Sequence, residues 1–151
     1  MQTFLPYSDL RLSAKVLDRQ RLGKQRIETK QIVQTLLGES KGLGWANHPA
    51  VLMWKGHEYQ LCIFGVWTCR EWILRGYEDN QLTWFVSKSL ELSWSGASEL
   101  YPLWFGNERV HGSHKRKLIW KDPDWYLPRF PEYYGEKFDE EPAYFWPGLV
   151  R

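Results

Sequence analysis

At 151 residues the chain is long enough to bury a sizeable core, and we expect one domain over residues 1–151. Its formal net charge of +2 does not by itself identify a nucleic-acid-binding protein. The N-terminal residues lack a secretion signal, and no apolar run reaches the roughly 18 residues of a membrane span. We therefore expect a cytoplasmic protein that does not associate with membranes.

Residues 1–7 are apolar and contain Pro6, which predicts an extended arm rather than a helix. Ser8 can cap a first helical turn, and Asp18 can cap a long helix that runs to about Leu37. Within that helix Gly23 costs about 1 kcal/mol relative to Ala, which indicates close approach by another backbone or a ligand.

The long helix has an unusual core face. A helical projection places five apolar residues on one arc, and three polar residues lie inside the same arc, namely Gln25, Arg26 and Thr29. Arg21, Lys24 and Glu28 stack on the adjacent face at i, i+3 and i+4 spacing. A carboxylate among several cations suits a site for an anion, whereas the alternative is a solvated face of ion pairs.

A second helical region is predicted from Ala50 to Leu74, buried on most of its surface, broken near Gly56 or Gly65 and ended by Gly76. It follows a polar loop over residues 39–44 and the sequence Asn47-His48-Pro49, in which Pro49 suits the first helical position.

Two interpretations of the residues before that helix stay open. Asn47 and His48 could bind phosphate at the helix N-terminus, where free N–H groups and the helix dipole favour anions. Alternatively, Asn47 caps the helix and His48 hydrogen-bonds a loop carbonyl.

A third helix is predicted from about Gln81 to Leu92, followed by a loop over residues 95–105. Asn107 can cap a fourth helix that reaches about Trp120 and is stopped or kinked by Pro123. Signals for strands are nearly missing. We therefore predict a compact, all-α, single-domain helical bundle with an irregular, aromatic-rich C-terminal tail.

The positions of the charged residues and the number of aromatic residues indicate a surface that binds a ligand. Lys and Arg are concentrated in residues 11–30 and 115–121, and acidic residues dominate 132–141, so we expect a basic face with an acidic tail behind it. The 10 Trp, 8 Tyr and 7 Phe exceed what core filling needs, so some rings should be exposed for stacking. Cys62 and Cys69 are expected to be reduced core residues.

His111 and His114 are one helical turn apart, which permits metal binding. Because further ligands at suitable spacing are missing, we interpret them with Lys115, Arg116 and Lys117 as a basic edge that contacts phosphates. The sequence from Trp120 to Tyr126 interleaves rings with charge, which suits base stacking or, alternatively, an aromatic mini-core under the tail.

Taken together, these segments resemble the pyrimidine-dimer DNA glycosylase family. The resemblance is carried by the order of five segments: the first long helix with Arg26 and Glu28, Gly44-Trp45-Ala46-Asn47-His48-Pro49 with Trp54, Glu71-Trp72-Ile73-Leu74-Arg75-Gly76-Tyr77, Lys121-Asp122-Pro123-Asp124-Trp125-Tyr126, and Tyr133-Tyr134-Gly135. It implies an enzyme that flips a nucleotide out of damaged double-stranded DNA and cleaves its glycosidic bond. It also implies no metal, no organic cofactor and a monomeric state.

Family members use an N-terminal α-amine that attacks the sugar C1′ to form an imine, and a nearby Glu supports strand cleavage. Carried over to this sequence, the resemblance implies catalytic roles for Met1, Glu28 and Arg26. Gln2 is too bulky for the usual removal of the initiator Met, so we expect Met1 to be retained. The alternatives are Lys24 as the nucleophile, or hydrolytic base excision without strand cleavage.

The predicted DNA contacts lie in both basic regions and in the aromatic segment: Arg21, Lys24, Gln25, Asn47, His48, His111, His114, Lys115, Lys117, Lys121, Trp125 and Tyr126. Two other functions remain open at this point. One is a nucleic-acid-binding domain without catalysis, and the other is a metal-dependent phosphodiesterase built on His111 and His114.

Overall fold

The protein is described by a computed structural model over residues 1–40 and 44–148. The described residues are 55% helical and include no strand, which confirms the all-α prediction. No helix in these ranges combines the length and apolar character needed to cross a membrane. The helices are α1 (Leu10–Val16), α2 (Arg19–Leu36), α3 (Pro49–Leu52), α4 (Glu58–Leu74), α5 (Leu82–Trp94), α6 (Glu108–Lys121) and α7 (Pro123–Tyr126), followed by a 3-10 turn at Pro131–Tyr133.

Polar side chains fix where the helices begin. Asp18 caps α2 as predicted, because its carboxylate accepts a hydrogen bond from the Arg21 N–H. Asp9, and not the predicted Ser8, caps α1. His48 caps α3 through Nδ1, which accepts from the Ala50 N–H at 3.0 Å, so the expectation that Asn47 serves as the cap was wrong.

The long apolar region after Pro49 is broken at the first of the two predicted glycines. Gly56 has φ +85° and separates α3 from α4, whereas Gly65 stays inside α4. A Cβ on Gly65 would lie 2.3 Å from the Phe85 ring, so this glycine lets α4 and α5 pack closely. Gly76, at φ +96°, follows the end of α4 as predicted.

Helix α2 packs mainly on α4, which lies at the centre of the fold because it also contacts α1 and α5. All three polar residues of the predicted arc on α2 are buried. The buried residues of this helix are Leu22, Gln25, Arg26, Thr29, Ile32 and Val33. The close approach at Gly23 comes from a side chain, since a Cβ there would lie 3.1 Å from the Trp72 ring.

Residues 1–7 have no regular secondary structure and run through the interior. Gln25 Oε1 accepts from the Phe4 N–H at 2.8 Å, and His114 Nδ1 accepts from the Leu5 N–H at 2.9 Å. Trp54 Nε1 donates to Thr3 Oγ1 at 2.9 Å. Side chains of α2 and α6 thus satisfy backbone N–H groups of a segment that has no strand partner.

The C-terminal tail is irregular beyond its single 3-10 turn and lies over the helices, as predicted. Tyr144 packs against Phe4 and His114, with ring centroids 6.4 and 5.5 Å apart. Cys62 and Cys69 are buried free thiols, and burial raises the pKa of each to about 12. The predicted loop at 39–44 includes residues 41–43, which lie outside the described residues.

Candidate active site

A cleft of about 400 Å³ opens where the N-terminal segment, one face of α2 and the C-terminal tail meet. Its lining comes from five parts of the chain: Met1, Gln2 and Phe4, then Gln20, Arg21, Lys24, Gln25 and Glu28, then His48, Lys121, and finally Tyr144 and Trp146. The cleft falls in the size range of small-ligand sites in proteins. It brings together seven of the predicted site residues, namely Met1, Arg21, Lys24, Gln25, Glu28, His48 and Lys121.

The carboxylate of Glu28 is joined to the N-terminal segment. The backbone N–H of Gln2 donates to Glu28 Oε2 at 3.0 Å, and Glu28 is half-buried. The α-amine of Met1 is therefore one residue along the chain from the N–H group that holds the Glu28 carboxylate. A carboxylate in this position can accept a proton from an attacking amine or stabilise a cationic intermediate.

His48 faces the same cleft with a defined tautomer. Because Nδ1 accepts from the Ala50 N–H, the neutral ring carries its proton on Nε2. Burial and, secondarily, the positive charge of the Met1 amine lower the pKa of His48. The ring also contacts Trp45 and Trp146 edge-on, with centroids 5.5 and 6.2 Å apart. His48 is thus held as a neutral imidazole within electrostatic range of the N-terminal amine.

Cations line the rim of the cleft. Lys24 and Lys121 are exposed and make no ion pair with any described residue. Arg21 pairs with Asp18 at 3.2 Å, the same carboxylate that caps α2. Two unpaired ammonium groups beside a concave site provide contacts for the phosphates of a nucleic-acid backbone.

Arg26, for which a catalytic role is expected from the sequence, does not line this cleft. Its Nε donates to Asp79 Oδ1 at 2.7 Å, and its guanidinium lies 4.9 Å from the centroid of the Trp72 ring. Burial raises the pKa of Asp79, but hydrogen bonds from the Leu82 N–H, from Arg26 and from the Gln81 N–H outweigh burial and bring it below its usual value. Arg26 therefore connects α2 to the start of α5.

The predicted phosphate-contacting edge includes two histidines that lie in the interior. His111 and His114 are 1% and 0% exposed, and the Nδ1 atom of each bonds the backbone of Leu5. Burial lowers the pKa of His114 to about 3, so its ring is neutral at physiological pH. No group of three or more His, Cys, Asp or Glu in the described ranges could hold a metal ion. These histidines position the N-terminal segment and are not available to DNA.

The remaining predicted DNA contacts lie away from the cleft. Lys115 and Lys117 pair with the acidic tail, at 3.4 Å from Glu132 and 3.1 Å from Glu141. Asn47 is exposed but is not part of the lining.

Trp125 lines a neighbouring cleft, and its Nε1 donates to the Val16 carbonyl at 2.8 Å. Tyr126 is fully buried and its hydroxyl donates to Asp18, so it cannot stack on a base. For Tyr126 the mini-core interpretation is correct.

Five lining residues were missed from the sequence: Gln2, Phe4, Gln20, Tyr144 and Trp146. Gln2 could have been predicted from the sequence, because it directly follows Met1, which carries the candidate nucleophile. Nothing in the sequence separates Tyr144 and Trp146 from the other rings of the tail, because their position depends on how the tail folds back.

A family model described as pyrimidine dimer DNA glycosylase matches residues 1–84, which is more than half of the chain. No curated protein and no solved structure matches the sequence. The matched region contains the cleft residues of the N-terminal segment and of α2, together with His48, whereas Lys121, Tyr144 and Trp146 lie beyond it. On this match, over residues that build most of the cleft, the chain belongs to the pyrimidine dimer DNA glycosylase family.

Proposed function

We propose that this protein releases a damaged base, a pyrimidine dimer in the first instance, from double-stranded DNA and then cleaves the strand at the resulting abasic site. The observation that supports this most strongly is the juxtaposition of the N-terminal segment with the Glu28 carboxylate inside a cationic cleft. In the proposed mechanism the α-amine of Met1 is the nucleophile.

The chemistry balances with groups that line the cleft. The lone pair of the neutral amine attacks the sugar C1′, the C1′–N glycosidic bond breaks, and the base leaves with the electron pair and takes up a proton. The nitrogen bound to C1′ then gives up one proton, and the C1′–O4′ bond breaks as O4′ takes up a proton, which leaves a protonated, cationic imine between the protein and C1′. Removal of a proton from C2′ then breaks the C3′–O bond and nicks the strand, and water releases the protein.

Glu28 is the proposed proton acceptor and donor in these steps. An α-amine is less basic than a lysine side chain, so a useful fraction is unprotonated near neutral pH. The carboxylate of Glu28 can accept the proton of the attacking amine and stabilise the cationic imine that follows. Lys24, Lys121 and Arg21 are the proposed contacts to the flanking phosphates.

The processing of the N-terminus decides which nitrogen reacts. With Met1 retained, the nucleophile is the Met1 amine. Removal of Met1 would turn the Gln2 nitrogen, 3.0 Å from Glu28 Oε2, into the α-amine. Lys24 lines the same cleft and is the third candidate.

The test is to incubate the purified protein with ultraviolet-irradiated and undamaged duplex DNA in the presence of a chelator, with and without borohydride. We expect nicking that depends on irradiation, and a covalent protein–DNA adduct after reduction. Peptide mapping of the adduct identifies the nitrogen, and the intact mass shows whether Met1 is present and unmodified.

Four outcomes would contradict parts of the proposal. Acetylated Met1 in the active protein excludes its amine as the nucleophile. Base release without adduct or nicking indicates hydrolytic excision, and binding without either reaction indicates a non-catalytic nucleic-acid-binding domain. Loss of nicking in chelator would point to a metal-dependent phosphodiesterase.

A further inference from the structure

A groove lined by cations lies between α1 and α4, away from the cleft. Its volume is about 160 Å³, and it shares no lining residue with the cleft. Three exposed cations line it together with a half-buried ring, a carboxylate and a leucine: Arg11, Lys15 and Arg70, then Trp67, Glu71 and Leu74. The groove is therefore a separate feature of the surface that the proposed chemistry does not use.

The two arginines of the groove are held by an aromatic ring and not by carboxylates. The guanidinium carbons of Arg11 and Arg70 lie 5.5 and 5.2 Å from the centroid of the Trp67 ring. Neither arginine forms an ion pair with any residue in the described ranges. A cation–π contact orders a guanidinium group without neutralising its charge. Both positive charges therefore remain free to bind an anion.

The carboxylate that lines the groove does not cancel this charge. Glu71 Oε2 accepts from Arg75 Nε at 3.2 Å, so Glu71 is already paired within α4. Arg75 also donates from Nη2 to the Lys15 carbonyl at 2.9 Å, which fixes the end of α1 against the end of α4. Lys15 has no ion-pair partner among residues 1–40 and 44–148. The groove thus presents three uncompensated cations on a fixed backbone.

The N-terminal end of α2 connects the groove to the cleft. Lys15 is four residues before Arg19, an exposed cation whose guanidinium lies 5.5 Å from the centroid of the Tyr77 ring. Arg19 lines the neighbouring cleft, which shares Gln20 and Lys24 with the candidate active site. A row of cations therefore leads from the active-site cleft to the groove.

We propose that the groove between α1 and α4 binds phosphate groups of duplex DNA outside the nucleotide that occupies the cleft. Arginine forks match the oxygen atoms of a phosphate, and a phosphodiester backbone supplies several anions in a row. Trp67 is already in contact with both guanidinium groups, so the ligand is the DNA backbone and not a base. This assignment rests on the DNA binding that the proposed function includes, but not on its chemistry.

The first experiment measures binding of an undamaged duplex by fluorescence anisotropy over a series of salt concentrations. The double variant Arg11→Gln/Arg70→Gln should bind about tenfold more weakly or worse at low salt. Its plot of log K against log salt concentration should be shallower by about two units, because two phosphate contacts are lost. Thermal unfolding checks that the double variant keeps the fold.

Arg109→Gln is the matched control for the double variant. Arg109 is also exposed, lies 5.9 Å from the centroid of the Phe145 ring and has no ion-pair partner in the described part of the chain. It lines neither the groove nor the cleft, so we expect its salt dependence to match that of the wild type. Unchanged binding in a folded double variant would overturn the assignment.

The second experiment locates the DNA by crosslinking. Cys62 and Cys69 are buried, and burial raises the pKa of each to about 12, so an introduced exposed cysteine can be labelled selectively with a photo-crosslinker. Leu74→Cys places the label in the groove, because Leu74 is 80% exposed and lines it. Trp94→Cys, at a 90% exposed position outside the groove and the cleft, is the control. We expect light-dependent crosslinks from position 74 well above those from position 94, and equal yields would overturn the assignment.

The results separate this inference from the proposed function. A wild-type protein that binds duplex DNA through the groove, but releases no base and nicks no strand, would contradict the proposed function alone. Nicking of irradiated DNA by a protein whose DNA binding does not depend on Arg11 and Arg70 would contradict the groove assignment alone.

Discussion

The side-chain amide of Gln25 donates from Nε2 to the backbone carbonyl of Gln2 at 2.8 Å. Through its Oε1 the same amide accepts the Phe4 N–H at 2.8 Å, so one buried glutamine pairs with the N-terminal segment much as a neighbouring strand would. The position of the candidate nucleophile therefore depends on a polar side chain in the core face of α2.

Replacement of Gln25 should affect both stability and catalysis. Gln25→Leu leaves the Gln2 carbonyl and the Phe4 N–H without partners, so we expect a loss of about 1–3 kcal/mol in the free energy of unfolding. We also expect slower base release, because the N-terminal segment loses its register on α2. Denaturant unfolding and nicking assays measure the two effects. Gln31→Leu, at an exposed position of the same helix, is the control, and an equal loss there would contradict the argument.

Glu28→Gln tests the proposed acid–base role. The variant keeps an oxygen that can accept the Gln2 N–H but removes the carboxylate, so we expect an intact fold and normal DNA binding. Strand nicking should fall by about 100-fold or more, as is usual when a general acid–base group is lost. Unchanged nicking would contradict the acid–base role of Glu28 and assign the proton transfers to another group.

Lys121→Ala tests whether the cleft rim contacts the DNA backbone. We expect weaker binding to damaged and undamaged duplexes alike, and a salt dependence of log K against log salt concentration that is shallower by about one unit. Lys115→Ala is the comparison, because Lys115 is already paired with Glu132 and lies outside the cleft. A slope that changes only for Lys115 would place the DNA on another face.

Acid should destabilise the fold through its buried histidines. His114 is neutral in the folded state, with its pKa lowered to about 3, whereas an unfolded histidine takes up a proton below about 6.5. The stability present above pH 6.5 is therefore lost as the pH falls towards 3, with a slope of up to about 1.4 kcal/mol per pH unit. Burial lowers the pKa of His111 in the same direction.

Thermal unfolding between pH 7 and 5 measures this slope before most carboxylates titrate. His114→Gln keeps an acceptor for the Leu5 N–H but cannot take up the proton, so its unfolding temperature should fall less steeply with acid than that of the wild type. An identical slope in the variant would show that other groups are responsible.

Gly65→Ala should destabilise the contact between α4 and α5. The new Cβ would lie 2.3 Å from Phe85, and moving that buried ring costs about 1–3 kcal/mol. Gly44→Ala is the control, since no described atom lies within 4 Å of a Cβ there. Equal unfolding temperatures for the two variants would contradict the predicted overpacking.

The sequence predicted the local structure well because helix starts and breaks depend on nearby residues. Asp18 and Asn107 cap helices as expected, Pro49 occupies a first helical position, and Gly56 and Gly76 break the apolar region. The period of α2 also predicted correctly which polar residues would be buried. These features are decided within one or two helical turns, so a linear pattern is sufficient.

Charge and residue type do not indicate which Lys and Arg side chains form ion pairs in the folded protein. Arg26 and Lys24 are two positions apart on α2, but the first is paired with Asp79 and the second has no ion-pair partner in the part of the chain that the structure describes. Asp79 lies in the loop between α4 and α5, distant in sequence, and reaches Arg26 because α4 packs on α2. The ion pair is therefore a property of packing.

The sequence by itself determined the helical fold, the basic and polar face of α2, and the proximity of Gln2 to the candidate nucleophile. Only the tertiary structure decided that His111 and His114 hold Leu5 in the interior, and that Tyr144 and Trp146 close the cleft from the far end of the chain. The physical reason is that burial and pairing depend on contacts across more than a hundred residues, where the spacing of residue types carries no information about which groups meet.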